Sequence, residues 1–352
     1  MSDGLRQDRA DTAARIAALH ERLLSAYGCG RETFAREITE IAAPFADEVK
    51  INALNEAVVT LRRGDGPVTL VYAGGNPAPA NIAGIGKNGL LYIDGFDGDV
   101  APGAEIAVGT AEGKSFAGVL GEETDKESGE RLVTADIGAA SAEEALRQVS
   151  VGDPVILSGK PEPSGVADSV IAPYVYGFGG KLVMLEALFS LPVSGARGEI
   201  VFVFPTGQSR SAQSMQAAVK SVEPRRVLIA GSVRARDGWT SGKHIDFSRN
   251  IAPSTGAGAA LVLRGAYSVA DRDFSQRIRA LASKKNIPLQ IVAQAGRFPG
   301  IGEFHEAGHD AALAALALPV RYETALAGVY DAGDVVRTAE LLNAVLLSGE
   351  GL

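Results

Sequence analysis

The chain has 352 residues, 46% of them hydrophobic and 22% charged, with a mean hydropathy of +0.09, which excludes a disordered chain and predicts either two domains or one large domain with an insertion. The net charge of −8 and an aromatic content of 6% leave little for phosphate contacts or base stacking, so nucleic acid is not an expected partner.

The N-terminus, Met1-Ser2-Asp3-Gly4-Leu5-Arg6, has no apolar stretch followed by a cleavage site, so no secretory signal is expected and the cytoplasm is the expected location. Residues 8–47 read as helical. Ile16, Leu19, Leu23 and Leu24 recur at helical spacing, Gly28-Cys29-Gly30 interrupts them, and Phe34, Ile38 and Ile41 resume up to Pro44. Cys29 is the only cysteine, which excludes internal disulfides and Cys-rich metal sites. Strands are predicted at Val58–Leu61 and Val68–Tyr72. From about Gly84 to Gly165 short β-like runs (Leu90–Ile93, Glu105–Val108, Phe116–Leu120, Val155–Leu157) alternate with Gly- and Asp-rich turns, around one helix at Ala142–Val149. This spacing predicts a small barrel or sandwich.

Beyond Tyr176 helices and strands alternate. The pattern gives helices over Leu182–Leu188, Ala212–Lys220, Asp273–Lys285 and Val335–Leu347, and strands over Glu199–Phe204, Val227–Ala230, Ala259–Arg264 and Leu289–Val292. The arginines from Arg225 to Arg236 read as a solvated surface. The longest apolar run, Ala311–Leu318, is less than half a bilayer crossing, so no membrane association is expected. The predicted class is α/β: a mainly parallel sheet with helices on both faces, formed by 1–83 and 166–352, with a β-rich domain inserted at 84–165.

Several motifs carry a family resemblance. Asp136-Ile137-Gly138-Ala139-Ala140-Ser141-Ala142-Glu143-Glu144-Ala145 with Gly152-Asp153-Pro154-Val155, then Asn52-Ala53-Leu54-Asn55, Ala282 through Ile287-Pro288 and Gln290, and Pro319-Val320-Arg321-Tyr322 stand in family order. Over roughly residues 12–348 the chain resembles the dizinc aminopeptidases that build tetrahedral dodecamers, a family that includes deblocking and glutamyl aminopeptidases, some of its members carrying an endoglucanase name. The resemblance implies their α/β fold with a small inserted β-barrel that serves dimerisation.

It also implies where two zinc ions and a general base would sit. The family's Ala-His-x-Asp-Glu falls on Ala73-Gly74-Gly75-Asn76-Pro77, its Asp-Asp-Arg on Tyr176-Gly177-Phe178, and its Glu-Glu pair on Gln208-Ser209. A further aspartate falls on Gly231 and the last histidine on Thr324. Gly74, Asn76, Tyr176, Ser209, Gly231 and Thr324 thus replace ligands, and Gln208 replaces the base; none supplies a carboxylate or imidazole. The expectation is a pseudoenzyme with no metal cofactor, acting as a structural, regulatory or assembly subunit. Its partner is itself, as a dimer or dodecamer, or a catalytic paralogue.

Other constellations could carry different chemistry. His305-Glu306-Ala307-Gly308-His309 matches a zincin pattern, but Gly308 is a helix stop and no third ligand is suggested, so surface histidines are the preferred reading. Cys29 reads as a packed helix start. Ser209, Arg210, Ser211 and Ser214 read as a capped loop-to-helix junction, with a phosphate or carboxylate site as the alternative. Tyr176, Gln208, Ser209, Arg321 and Glu323 are the cleft residues that relocated, metal-independent hydrolase or lyase chemistry would use. Arg210 and Arg321 would hold a small anionic ligand. Against both stands a filled cleft, with Tyr176 and Phe178 in the space the metals would take.

Overall fold

The computed structural model describes residues 3–75, 79–96, 101–110, 112–124, 129, 131–192, 198–206, 212–235, 253–265, 268–293, 298–322 and 327–348. Helices α1 (Asp3–Gly28) and α2 (Arg31–Ala42) open the chain, followed by strands β1 (Glu48–Ile51), β2 (Ala57–Arg63) and β3 (Thr69–Ala73). The inserted block comprises β4 (Ala80–Ile85), β5 (Leu91–Asp94), β6 (Glu105–Gly109), β7 (Ser115–Thr124), β8 (Arg131–Asp136), the short α3 (Ala142–Leu146) and β9 (Pro154–Leu157). The chain then forms β10 (Glu162–Pro163), β11 (Ser169–Ala172), α4 (Val175–Ser190), β12 (Gly198–Phe204), α5 (Ala212–Val222) and β13 (Arg226–Arg234). It ends with β14 (Ala259–Val262), α6 (Arg272–Lys285), β15 (Leu289–Val292), α7 (Ile301–Ala307), β16 (Ala312–Arg321), β17 (Gly328–Asp331) and α8 (Ala332–Leu347).

The six strands β4–β9 close a barrel in the order β4-β5-β8-β7-β6-β9, and the remaining eleven form one sheet. The α/β class with an inserted barrel is the architecture expected. Within the sheet, parallel pairing is concentrated in the centre, β12-β3-β13-β16, while β1, β2, β10, β11 and β17 add antiparallel margins. The central strands are buried on both faces, which is why β16 reads as an unbroken apolar run and not as an alternation. One face is covered by α1, α2, α4, α6 and α8, the other by α5 and α7, and the barrel has a separate core. Among the described residues no helix is long and apolar enough to cross a membrane.

Helix α4 begins seven residues earlier than the pattern suggests, at Val175 and not Leu182. The reason is Gly177, Gly179 and Gly180, which read as breakers in sequence but are buried helical positions. A β-carbon on Gly180 would stand 2.1 Å from the carbonyl oxygen of Ala230 in β13, and one on Gly179 2.1 Å from Ser232 Oγ. Glycine is used for close approach, and burial offsets its poor helix propensity. On its other side α4 is fixed by Arg15 of α1, whose guanidinium makes two bonds of 2.6 and 2.9 Å to the Glu186 carboxylate.

Gly180→Ala is expected to cost more than about 3 kcal/mol or to prevent folding, because the new methyl meets a strand carbonyl that cannot move aside. At Gly138 a positive φ of 83° is the only obstacle, with nothing near the added carbon, so Gly138→Ala is expected to cost about 1–2 kcal/mol. Urea denaturation of both variants checks the ranking.

Candidate functional site

Strands β12, β3 and β13 run parallel; β12 and β3 stop at Phe204 and Ala73, while β13 runs on past Ala230, its partner on β3, to Arg234. This leaves a step at the edge where open α/β sheets place their ligand sites. Gly74 follows β3 and donates its N–H to Ala230 O at 2.7 Å. A β-carbon on Gly74 would lie 2.5 Å from the carbonyl oxygen of Pro299 and 3.0 Å from Ile229 Cγ2. At Gly231 it would lie 2.9 Å from Phe298 Cζ. Gly300, with φ 107°, sits so tightly on the Ile229 side chain that a β-carbon would come within 2.7 Å. The segment Phe298-Pro299-Gly300, with Phe298 and Gly300 buried and Pro299 half-buried, leads into α7 and therefore lies directly on the exit of β3 and on Ile229 and Gly231 within β13.

From the other side Lys181 reaches the same place. Its side chain is fully buried, and Nζ donates to Gly75 O at 2.8 Å and to Gly177 O at 3.1 Å. The rings of Phe34 and Phe178 lie 6.0 and 5.9 Å from the ammonium. Burial pushes the Lys181 pKa down to about 7, since a charge removed from water disfavours its own protonated form. Tyr176 is half-buried beside Gly75. Phe178 does not fill the cleft as expected. It packs against His20, Tyr27 and Phe34 of the first two helices, at ring separations of 5.0, 5.6 and 5.8 Å, because on a helix it faces away from the strand-contacting glycines.

The positions Gly74, Tyr176 and Gly231 offer no carboxylate or imidazole, and among the described residues no three His, Cys, Asp or Glu side chains converge. These three residues supply no zinc ligand. Asn76, Gln208, Ser209, Arg210, Ser211, Glu323 and Thr324 lie outside the described residues. Ser214, in the first turn of α5, bonds Tyr72 Oη at 2.7 Å. Cys29 is half-buried in the α1–α2 connection. The helix carrying His305 stops at Ala307, with Gly308 in the left-handed region at φ 68°, so His309 lies beyond it. His305 Nε2 donates to Val269 O at 2.8 Å, and His309 Nδ1 accepts from Ala311 N at 3.1 Å. The two rings do not form the one-turn pair of a helical zinc motif.

A family model for M42 glutamyl aminopeptidase matches residues 63–341. The chain belongs to the M42 aminopeptidase family. A relative from Acetivibrio thermocellus, provisionally named an aminopeptidase, is 25% identical over 328 residues, covering 92% of each chain. Among solved structures, an aminopeptidase from the archaeon Desulfurococcus kamchatkensis aligns with a TM-score of 0.82 at 18% identity, over 97% of this chain and 96% of that one. The TET1 peptidase of Pyrococcus horikoshii, which can assemble into a tetrahedron or a large octahedral shell, aligns with a TM-score of 0.73 at 21% identity, over 90% and 94%.

In this M42 chain Arg321, at the end of β16, is directed to Thr255, whose Oγ1 accepts from Nη2 at 2.7 Å and Nε at 3.1 Å. The loop holding Thr255 is fastened twice more. Gln290 bonds the backbone of Ser254 and Gly258, and the Asp334 carboxylate accepts from Gly256 N at 2.6 Å and Gly258 N at 2.8 Å. Asp331, the cap of α8, accepts from Asp334 N at 2.9 Å, and Arg337 lies 2.7 Å from Asp334 Oδ1. Sequence reasoning missed Lys181, Phe298–Gly300 and this carboxylate anchor. A lysine inside an apolar helix and the Pro299-Gly300 turn were the available signals.

Burial, followed by the neighbouring Asp331 charge, raises Asp334 to about 6 from its ordinary 3.8, and burial raises Asp331 as well. Between those pH values the folded chain keeps a proton that the unfolded chain has released. The stability this contributes is therefore present at the acid end and lost as pH rises through about 6. Measured against the non-titrating Asp334→Asn, the wild type is expected to gain melting temperature as pH falls from about 7 to about 4.5. A flat or reversed difference would show that Asp334 titrates normally.

Proposed function

We propose that this chain is a non-catalytic member of the M42 aminopeptidase family, acting in the cytoplasm as a structural, regulatory or assembly subunit. The observation that carries this reading is the carbonyl of Pro299, 2.5 Å from where a side chain on Gly74 would begin. The strand end that the family resemblance assigns to a first metal ligand is covered by main chain. Metal-assisted hydrolysis needs converging ligands and a carboxylate to take a proton from water, and the described strand ends hold neither. A relocated hydrolase or lyase, or a site for a small anion, would draw on Tyr176, Gln208, Ser209, Arg321 and Glu323. The bonds of Arg321 to Thr255 count against it.

After purification in excess zinc or cobalt, elemental analysis is expected to find no stoichiometric pair of ions. Release of amino acids from peptide amides is expected to stay at background. Two tightly held ions per chain, or turnover that persists through purification, overturns the reading.

The partner in this reading is a second copy of the chain, as a dimer or dodecamer, or a catalytic paralogue, joined through the domain inserted at 84–165. Its surface carries Val119, Leu146 and Val151 at 46%, 57% and 59% exposure, apolar area of the kind that self-association covers. The shells built by the Pyrococcus horikoshii relative support the same reading. Such interfaces bury more than about 1,000 Å², so light scattering at micromolar concentration is expected to give a multiple of 36.4 kDa. A monomer, alone and with any co-encoded paralogue, removes the assembly role.

A further inference from the structure

Lys181 has a fully buried side chain in a helix whose neighbouring residues, Gly179, Gly180, Leu182, Val183 and Met184, are apolar. An ammonium taken out of water is tolerated only where fixed polar groups replace its hydration. Here the replacements are the carbonyl oxygens of Gly75 and Gly177, at 2.8 and 3.1 Å, and the faces of Phe34 and Phe178. The two carbonyls belong to the residues immediately after Gly74 and Tyr176, on two different elements: the exit of β3 and the first turn of α4. Gly75 has a φ of 87°, and a β-carbon there would reach only to 3.4 Å from Tyr176 O. At Gly75 and Gly177 these two segments approach through their backbones.

We propose that the Lys181 ammonium is a built-in cation that clamps the exit of β3 to the first turn of α4, doing by hydrogen bonds to main-chain carbonyls the mechanical work of a bound metal ion. The clamp is a positioning device, and it rests on reading these strand ends as non-catalytic. It also gives the glycines a purpose. Gly75, at φ 87°, holds a backbone conformation that residues with side chains rarely adopt, and in that conformation its carbonyl meets Nζ. The lowered Lys181 pKa accords with the absence of a water shell around Nζ.

The test is Lys181→Met, which keeps the length and apolar stem but removes the charge and the donors. Hydrogen exchange is expected to rise about tenfold or more in peptides covering 72–75 and 175–180, the loss of hydrogen bonds to two buried carbonyls. Peptides of the barrel, 80–157, should keep wild-type rates, and added zinc should restore nothing. Unchanged exchange at 72–75 and 175–180 overturns the clamp, even if the melting temperature shifts. If the variant does not fold, the wild type decides. Modification of Lys181 by formaldehyde and borohydride should proceed at the rate at which the amides of 72–75 open, and modification faster than that opening overturns the clamp. Metal uptake or turnover by the wild type would overturn the proposed function while leaving the exchange result intact, so the two failures are distinguishable.

Discussion

Helix α4 rests on strand β13 with no room for a methyl group between Gly180 and the carbonyl of Ala230. That approach sets the height of the helix above the sheet, and much else follows from it. It brings Lys181 within reach of the exit of β3, turns Phe178 toward α1 and α2, and leaves Glu186 facing Arg15. A larger residue at Gly180 would lift all of these together, because they are rigidly spaced along one helix. The sheet and its helical layer are thus fitted at one line of glycines, and the remaining packing is arranged around that line.

The parts of the fold legible in the sequence are those with a strong period. Leu289–Val292 is legible to the residue, and the inserted block is recognisable because Gly- and Asp-rich turns punctuate its short β-like runs. The margins were harder. Strands β1, β10 and β11 have four residues or fewer, too few to establish a period, and they pair along the edges of neighbouring strands. The start of α4 was missed because tertiary contact overrides glycine's low propensity. At the candidate site, alignment to a family pattern located Gly74, Tyr176 and Gly231, yet did not reveal what covers them. Phe298, Pro299 and Gly300 come from a distant part of the chain, and no local rule says that a loop before a seven-residue helix will fold onto a strand end. Lys181 carried a signal in its apolar surroundings, but its carbonyl partners depend on a crossing of elements that a sequence does not display.

On the proposed reading, family membership and chemistry separate in a physically simple way. The fold depends on interior packing spread over three cores, whereas the catalysis that the family resemblance implies depends on a few side chains at strand and helix ends. Replacing those few side chains costs the fold little if something fills the space. In this chain the filling comes from both sides, a loop from one and a lysine from the other. The lysine satisfies Gly75 O, while Gly74 N is met by Ala230 O of β13.

The first and last strands of the barrel, β4 and β9, are hydrogen-bonded to one another, Ala80 opposite Val155 and Asn81 opposite Pro154. The polypeptide therefore enters and leaves the barrel side by side, and the closed ring has no strand borrowed from the large sheet. The single bond from Leu157 N to Tyr174 Oη ties its exit strand to the residue just before α4. A unit whose two ends lie side by side in this way, seated on α1 through Ile156 and Gly109, is a cassette. It can be shortened, decorated or exchanged over generations without rethreading any strand of the sheet that carries it. Surface change on the barrel and change at the strand ends can accordingly accumulate independently within one gene.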